Sequence, residues 1–147
     1  MSKTKSYKGN LGDGLKERIR LKTNNGLTGY RITKFQVIPE QPFNKTQESI
    51  IKIYKVPFDG NPDGVVDFTD ARLLAVGIFK QHDTSTELAY ETVVFDNEVF
   101  NQDIHLTSYD AATGESLNYY LELEQIKLDT SEATMATLQN MKSLVDL

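Results

Sequence analysis

Apolar and polar residues alternate with period two along most of this chain. The pattern is clearest over residues 117–123. Leu117, Tyr119, Leu121 and Leu123 fall on one side, with Asn118, Tyr120 and Glu122 on the other. That alternation predicts a strand with one buried face. At Ile126 and Leu128 the parity flips, which predicts a bulge near Gln125. Shorter alternating or β-branched stretches predict strands over residues 18–22, 29–38, 49–56, 90–95 and 98–108. Pro39, Pro42 and Pro57 end two of them, since proline cannot donate to a ladder. Tight turns are expected at 24–26 and 82–85, and a hairpin loop at 109–115. Residues 71–80 are ambiguous, because a short apolar run carries no decisive period: an EF-hand loop would require a helix there, while Gly77 and the Val76, Ile78 and Phe79 cluster favour a strand.

The period changes near the end. Asp129, Thr130, Ser131 and Glu132 form a helix start signal, and Met135, Leu138, Met141 and Val145 follow at helical spacing. The last stretch is expected to be one amphipathic helix. The fold class that follows is all-β. It is a β-sandwich or jelly-roll-like domain of seven or eight strands over residues 17–129, with a flexible N-terminal arm over 1–16 and a C-terminal amphipathic helix over 130–147.

The chain has 147 residues, 39% of them hydrophobic, enough for one domain with a core of its own. There are no cysteines, which excludes disulfide scaffolds, thiolate metal sites and cysteine nucleophiles. No apolar run reaches membrane-spanning length and the start is polar, so neither a membrane anchor nor a secretory signal is expected. Charge is uneven. Residues 1–22 carry seven basic side chains against Asp13 and Glu17, a net of +5, and the rest of the chain a net of −10. Lys3, Lys5, Lys8, Lys16 and Arg18 are thus candidates for an arm that contacts an acidic partner surface. The acidic body makes specific nucleic-acid binding by the whole domain an unexpected role.

One loop has metal-like spacing. Asp59, Asn61, Asp63, Asp67 and Asp70 place oxygen side chains at positions 1, 3, 5, 9 and 12, with Gly64 at position 6. An EF-hand loop needs oxygens at those positions and glycine at its sharp turn. Position 12 is Asp rather than the bidentate Glu, Pro62 sits at position 4, and no second loop accompanies it. The alternative is a run of tight Asp–Gly turns. If the loop holds calcium, the chain is a calcium-dependent binding module for glycans or a protein partner; calcium is the one cofactor the sequence raises, and otherwise none is expected.

Catalytic constellations are sparse. His82 and His105 have no third partner at a recognisable spacing. Glu122 and Glu124 lie on one strand face about 7 Å apart, the spacing of a solvated face. A carbohydrate-active site on a jelly roll would need a concave face with Tyr119 or Tyr120 near Glu122. There is no phosphate loop, nucleophile elbow or metalloprotease helix. The chain reads as a non-enzyme.

The runs LTGYRITKFQVIPEQP (27–42), DGVVDFTDARLLAVGIF (63–79), VVFDNEVFNQDIHLTSYD (93–110) and NYYLELEQIKLDTSEATMATLQNMK (118–142) resemble small virion structural proteins of marine tailed bacteriophages. The resemblance covers most of the chain beyond residue 26 and transfers no functional residues. It implies a capsid decoration (cement) protein, or another head or tail component, made in the host bacterial cytoplasm and carried in the virion. It implies partners among the major capsid protein and other virion proteins, and a dimer or trimer of this chain.

Overall fold

The computed structural model describes residues 3–83 and 88–145. Among the described residues, eight strands form two antiparallel sheets, with one helix after them. The strands are β1 (Lys3–Leu11), β2 (Lys16–Ile19), β3 (Thr28–Pro39), β4 (Gln47–Tyr54), β5 (Leu73–Gln81), β6 (Leu88–Val94), β7 (Ile104–Asp110) and β8 (Leu117–Lys127), followed by α1 (Thr130–Val145). One sheet has the order β1-β8-β3, the other β2-β7-β4-β5-β6. The protein is an all-β sandwich with a C-terminal helix.

The core lies between the sheets. Leu117, Leu121 and Leu123 of β8 face Ile51 and Ile53 of β4 and Leu106 of β7, and all six are buried. The sheets approach closely where β3 crosses β5. A Cβ built on Gly77 would lie 2.8 Å from Val37 and 2.9 Å from Phe35, so only glycine fits there. A second tie is polar. The buried Tyr119 hydroxyl donates to Glu17 Oε2 at 2.8 Å, joining β8 to β2 across the sandwich. Burial, and then the Glu17 carboxylate, push the Tyr119 hydroxyl far above the ordinary phenol range.

Several expectations are corrected. Residues 3–11 are not a flexible arm: they pair with β8 in unbroken register from Lys3–Gln125 to Leu11–Leu117. Leu11 is buried and Tyr7 packs against the core, while the lysines project from an edge strand, where lysine protects the unpaired side. β8 therefore has no bulge near Gln125. The register shift falls on β3, between Ile32 and Lys34. Ile126 keeps its outward parity and is covered instead by the residues beneath α1.

β2 ends at Ile19 because Leu21 and Lys22 donate their N–H groups to Asp103 Oδ1. Residues 98–103 are not strand: Phe100 makes only an isolated bridge to Tyr30. The 71–80 ambiguity resolves as β5. Residues 111–116 are not a hairpin loop, since β7 and β8 belong to different sheets. That crossing is organised by Asp110, whose carboxylate accepts N–H groups from Glu48, Ala112, Thr113 and Glu115. Part of the expected 82–85 turn and the last two residues of the expected helix lie outside the described residues.

Candidate functional site

The metal-like loop is a strap. Residues 55–72 connect β4 to β5 and fold over the outer face of the five-stranded sheet. Beneath them Ile50, Tyr54, Leu73 and Val76 are buried, and Phe58 of the strap packs on them together with the partly buried Phe95 and Tyr109. This explains why β4 is buried on both faces and reads as an almost continuous apolar run. The one charged residue within its 50–54 run, Lys52, points outward under the strap and is 2% exposed. The Lys52 ammonium donates to Asp63 Oδ1 at 2.8 Å and to the Val65 carbonyl at 2.7 Å. It also lies over the rings of Phe58 and Tyr54, at 5.5 and 5.7 Å from their centroids.

The aspartates of the loop shape its backbone. Asp63 accepts the N–H of Val65, Asp67 that of Thr69, and Asp70 that of Arg72. These are three Asx turns in succession, the short-range bond that suits Asp to turns. Asp70 also forms a bidentate pair with Arg72, both contacts at 2.8 Å. The Lys52 ammonium lowers the pKa of Asp63, the Thr69 hydroxyl that of Asp67, and the Arg72 guanidinium that of Asp70. Asp59 and Asn61 are exposed farther back along the strap. Among the described residues, no three His, Asp or Glu side chains are placed to share an ion. The Asx turns thus account for three of the five calcium-like positions, Asp63, Asp67 and Asp70.

The five candidate arm cations divide between two strands. Lys3, Lys5 and Lys8 project from β1 in the three-stranded sheet, Lys16 and Arg18 from β2 in the other. Tyr119 brings these edges together: its ring lies over Gly9 of β1, and its hydroxyl reaches Glu17 of β2. The result is a basic flank rather than an arm. Lys16 Nζ is anchored to the Phe58 carbonyl at 2.9 Å, and Arg18 lies 3.9 Å from Asp103. Lys3, Lys5 and Lys8 are exposed.

The helix carries the largest departure from the sequence pattern. Its capping box forms as expected, with Asp129 Oδ1 accepting from Glu132 N–H and Glu132 Oε1 from Asp129 N–H. The buried side is small, however. Ala133 and Ala136 pack on Leu128, Ile126, Val99 and Leu27. Asn101, fully buried, donates to the carbonyls of Gly26 and Ala133 and to Thr137 Oγ1, and Asn140 donates to the Lys55 carbonyl. With the helix held close by these contacts, its large apolar side chains face solvent. Met135 is 60% exposed, Leu138 and Met141 55%, and Leu144 44%. The side chain of Val145 lies outside the described residues.

The remaining candidates stay apart. His105 is half-buried on β7 and His82 lies in the turn after β5. Burial lowers the pKa of His105. Glu122 and Glu124 share the outer face of the three-stranded sheet. There Glu122 accepts the Tyr120 hydroxyl at 2.7 Å and Glu124 pairs with Arg31 at 2.6 Å.

The chain matches no protein-family model and no curated protein sequence. Two features were not read from the sequence. The signal for the strap is the lone Lys52 inside the apolar run 50–54, an odd charge that calls for a covering partner. The signal for the exposed helix ridge is the pair Ala133 and Ala136, small residues one turn apart that allow close packing.

Proposed function

We propose that this chain is a structural component of a tailed-phage virion, a capsid decoration protein that seats on the shell through α1. The observation that carries this reading is the ridge of Met135, Leu138, Met141 and Leu144 on a helix pinned to the sandwich by Asn101 and Asn140. A surface helix ordinarily turns its large apolar residues inward. Here they form an exposed apolar patch on a rigid support, the surface that marks a protein–protein contact. The basic flank of β1 and β2 adds an electrostatic footprint for an acidic partner surface. The resemblance to small virion proteins of marine tailed phages supplies the setting, and the major capsid protein is the partner. A dimer or trimer around a shell symmetry axis multiplies weak contacts into firm attachment. The role is non-catalytic.

The test is re-addition of recombinant protein to shells that lack it. Saturable binding is expected, with the double variant Met135→Lys/Met141→Lys weakened about tenfold or more, since a central apolar anchor is removed. Both positions are exposed, so the variant's melting curve should match the wild type. Failure of the wild type to bind, or equal binding by the folded double variant, would overturn the reading.

A further inference from the structure

The outer face of the three-stranded sheet holds a cavity of about 630 Å³, lined by Lys8, Gly9, Gln36, Ile38, Asn118 and Tyr120 among others. Its form follows from the register. Lys8, Tyr120 and Gln36 make one cross-strand row; Asn10, Asn118 and Ile38 make another two residues away. The row between is Gly9, Tyr119 and Val37. Its side chains turn toward the core, so the cavity floor is backbone.

The walls are set in place by neighbours. The Tyr120 hydroxyl donates to Glu122 Oε1 at 2.7 Å, and Lys34 Nζ lies 5.9 Å from the ring centroid. The Asn118 amide accepts from Asn10 Nδ2 at 2.9 Å and donates to the Pro39 carbonyl at 3.4 Å. Asn10 Nδ2 also reaches Glu40 Oε2 at 3.0 Å. Gln36 and Lys8 flank the cavity as exposed side chains. Lys8 is the charged residue of the lining; around it stand Lys34, beside Tyr120, and the carboxylates Glu40 and Glu122, so the four charges balance.

The geometry points to a binding site for a neutral saccharide of disaccharide size. An aromatic ring fixed at the edge of an open groove offers a face for the C–H surface of a sugar ring. Amides oriented by their own hydrogen bonds offer donors and acceptors to its hydroxyls. The volume lies within the range of small-ligand sites, and preorganised walls reduce the ordering cost of binding. Balanced charge favours a neutral ligand over an anion. With Glu122 held by Tyr120 and Glu124 by Arg31, the face binds without cleaving. This inference stands independently of the virion role.

The experiment uses the full chain in two steps: a printed array of neutral, sialylated and sulfated glycans, then an amide correlation spectrum titrated with the best neutral disaccharide found. Capture by neutral glycans is expected, with shifts centred on Lys8, Gln36, Asn118 and Tyr120 and a Kd on the order of 1 mM. Tyr120→Ala should weaken binding about tenfold, the loss of one aromatic contact. Gln36→Ala, at an exposed edge position, should weaken it several-fold in a protein with an otherwise unchanged spectrum. Capture of sulfated or sialylated glycans alone, no capture at all, shifts centred elsewhere, or unchanged binding by folded Gln36→Ala and Tyr120→Ala proteins would each overturn it.

Discussion

The Lys52 ammonium lies 2.8 Å from Asp63 Oδ1, tying the centre of a sheet face to the strap that covers it. The two partners are unequal: the Lys52 side chain is 2% exposed and that of Asp63 48%. Removing the carboxylate strands a buried cation, whereas removing the cation leaves a carboxylate that water can reach. Asp63→Ala should therefore destabilise by roughly 2 kcal/mol and Lys52→Met by roughly half that or less. Denaturant midpoints of the two variants at neutral pH give the comparison; an equal or reversed order would contradict the strap geometry.

Acid should loosen the strap and the crossing loop together. Asp63 and Asp70 are held below the usual carboxylate range by Lys52 and Arg72. Burial opposes the same shift at Asp110, but four backbone N–H groups outweigh it. A carboxylate with a lowered folded value stabilises the fold above its unfolded value, near 3.9. That contribution is lost as pH falls through the folded value. Melting temperature should fall steeply below about pH 4. His105, lowered by burial, should add a smaller loss beginning below about pH 6.5, because the unfolded state takes up its proton first. His105→Gln should abolish that first step and leave the second.

Calcium should leave the melting temperature unchanged. Asp63, Asp67 and Asp70 already accept backbone N–H groups, and two of them face cations. Calcium would have to displace Lys52 and Arg72 to collect them. A rise in melting temperature with millimolar calcium, absent with magnesium, would show that the loop rearranges to bind it.

Deleting residues 1–11 should damage the fold. The deletion removes the buried Leu11 and the packed Tyr7, and it exposes the whole edge of β8. A loss of about 3 kcal/mol or more is expected from the apolar area alone. A truncated protein as stable as the full chain would mean that β1 contributes little, as a free arm would.

The strand pattern was legible where one face is buried and the other wet, as in β8, whose alternation from Leu117 to Leu123 is the observed burial. It was hidden where something unseen covers the second face. β4 is buried on both sides because the strap returns over it, and no local period announces that. β1 looked like an arm because its lysines occupy an edge; only Tyr7 and Leu11 betray a buried side. The helix was foreseen in place but not in rotation. Its packed side is chosen by what fits against Leu128 and Ile126, which is alanine, so the methionines turn outward. The five loop oxygens were correctly seen as a pattern. The partners of three of them, Lys52 below the loop, Arg72 at its end and the N–H groups within it, lie outside what spacing reveals.

The central claim, a place in the virion, is tested most directly by peptide mass spectrometry of gradient-purified tailed-phage particles whose genome encodes this chain. The account predicts that the chain travels with intact particles in a fixed, high ratio to the major capsid protein. Its absence from intact particles would contradict the account.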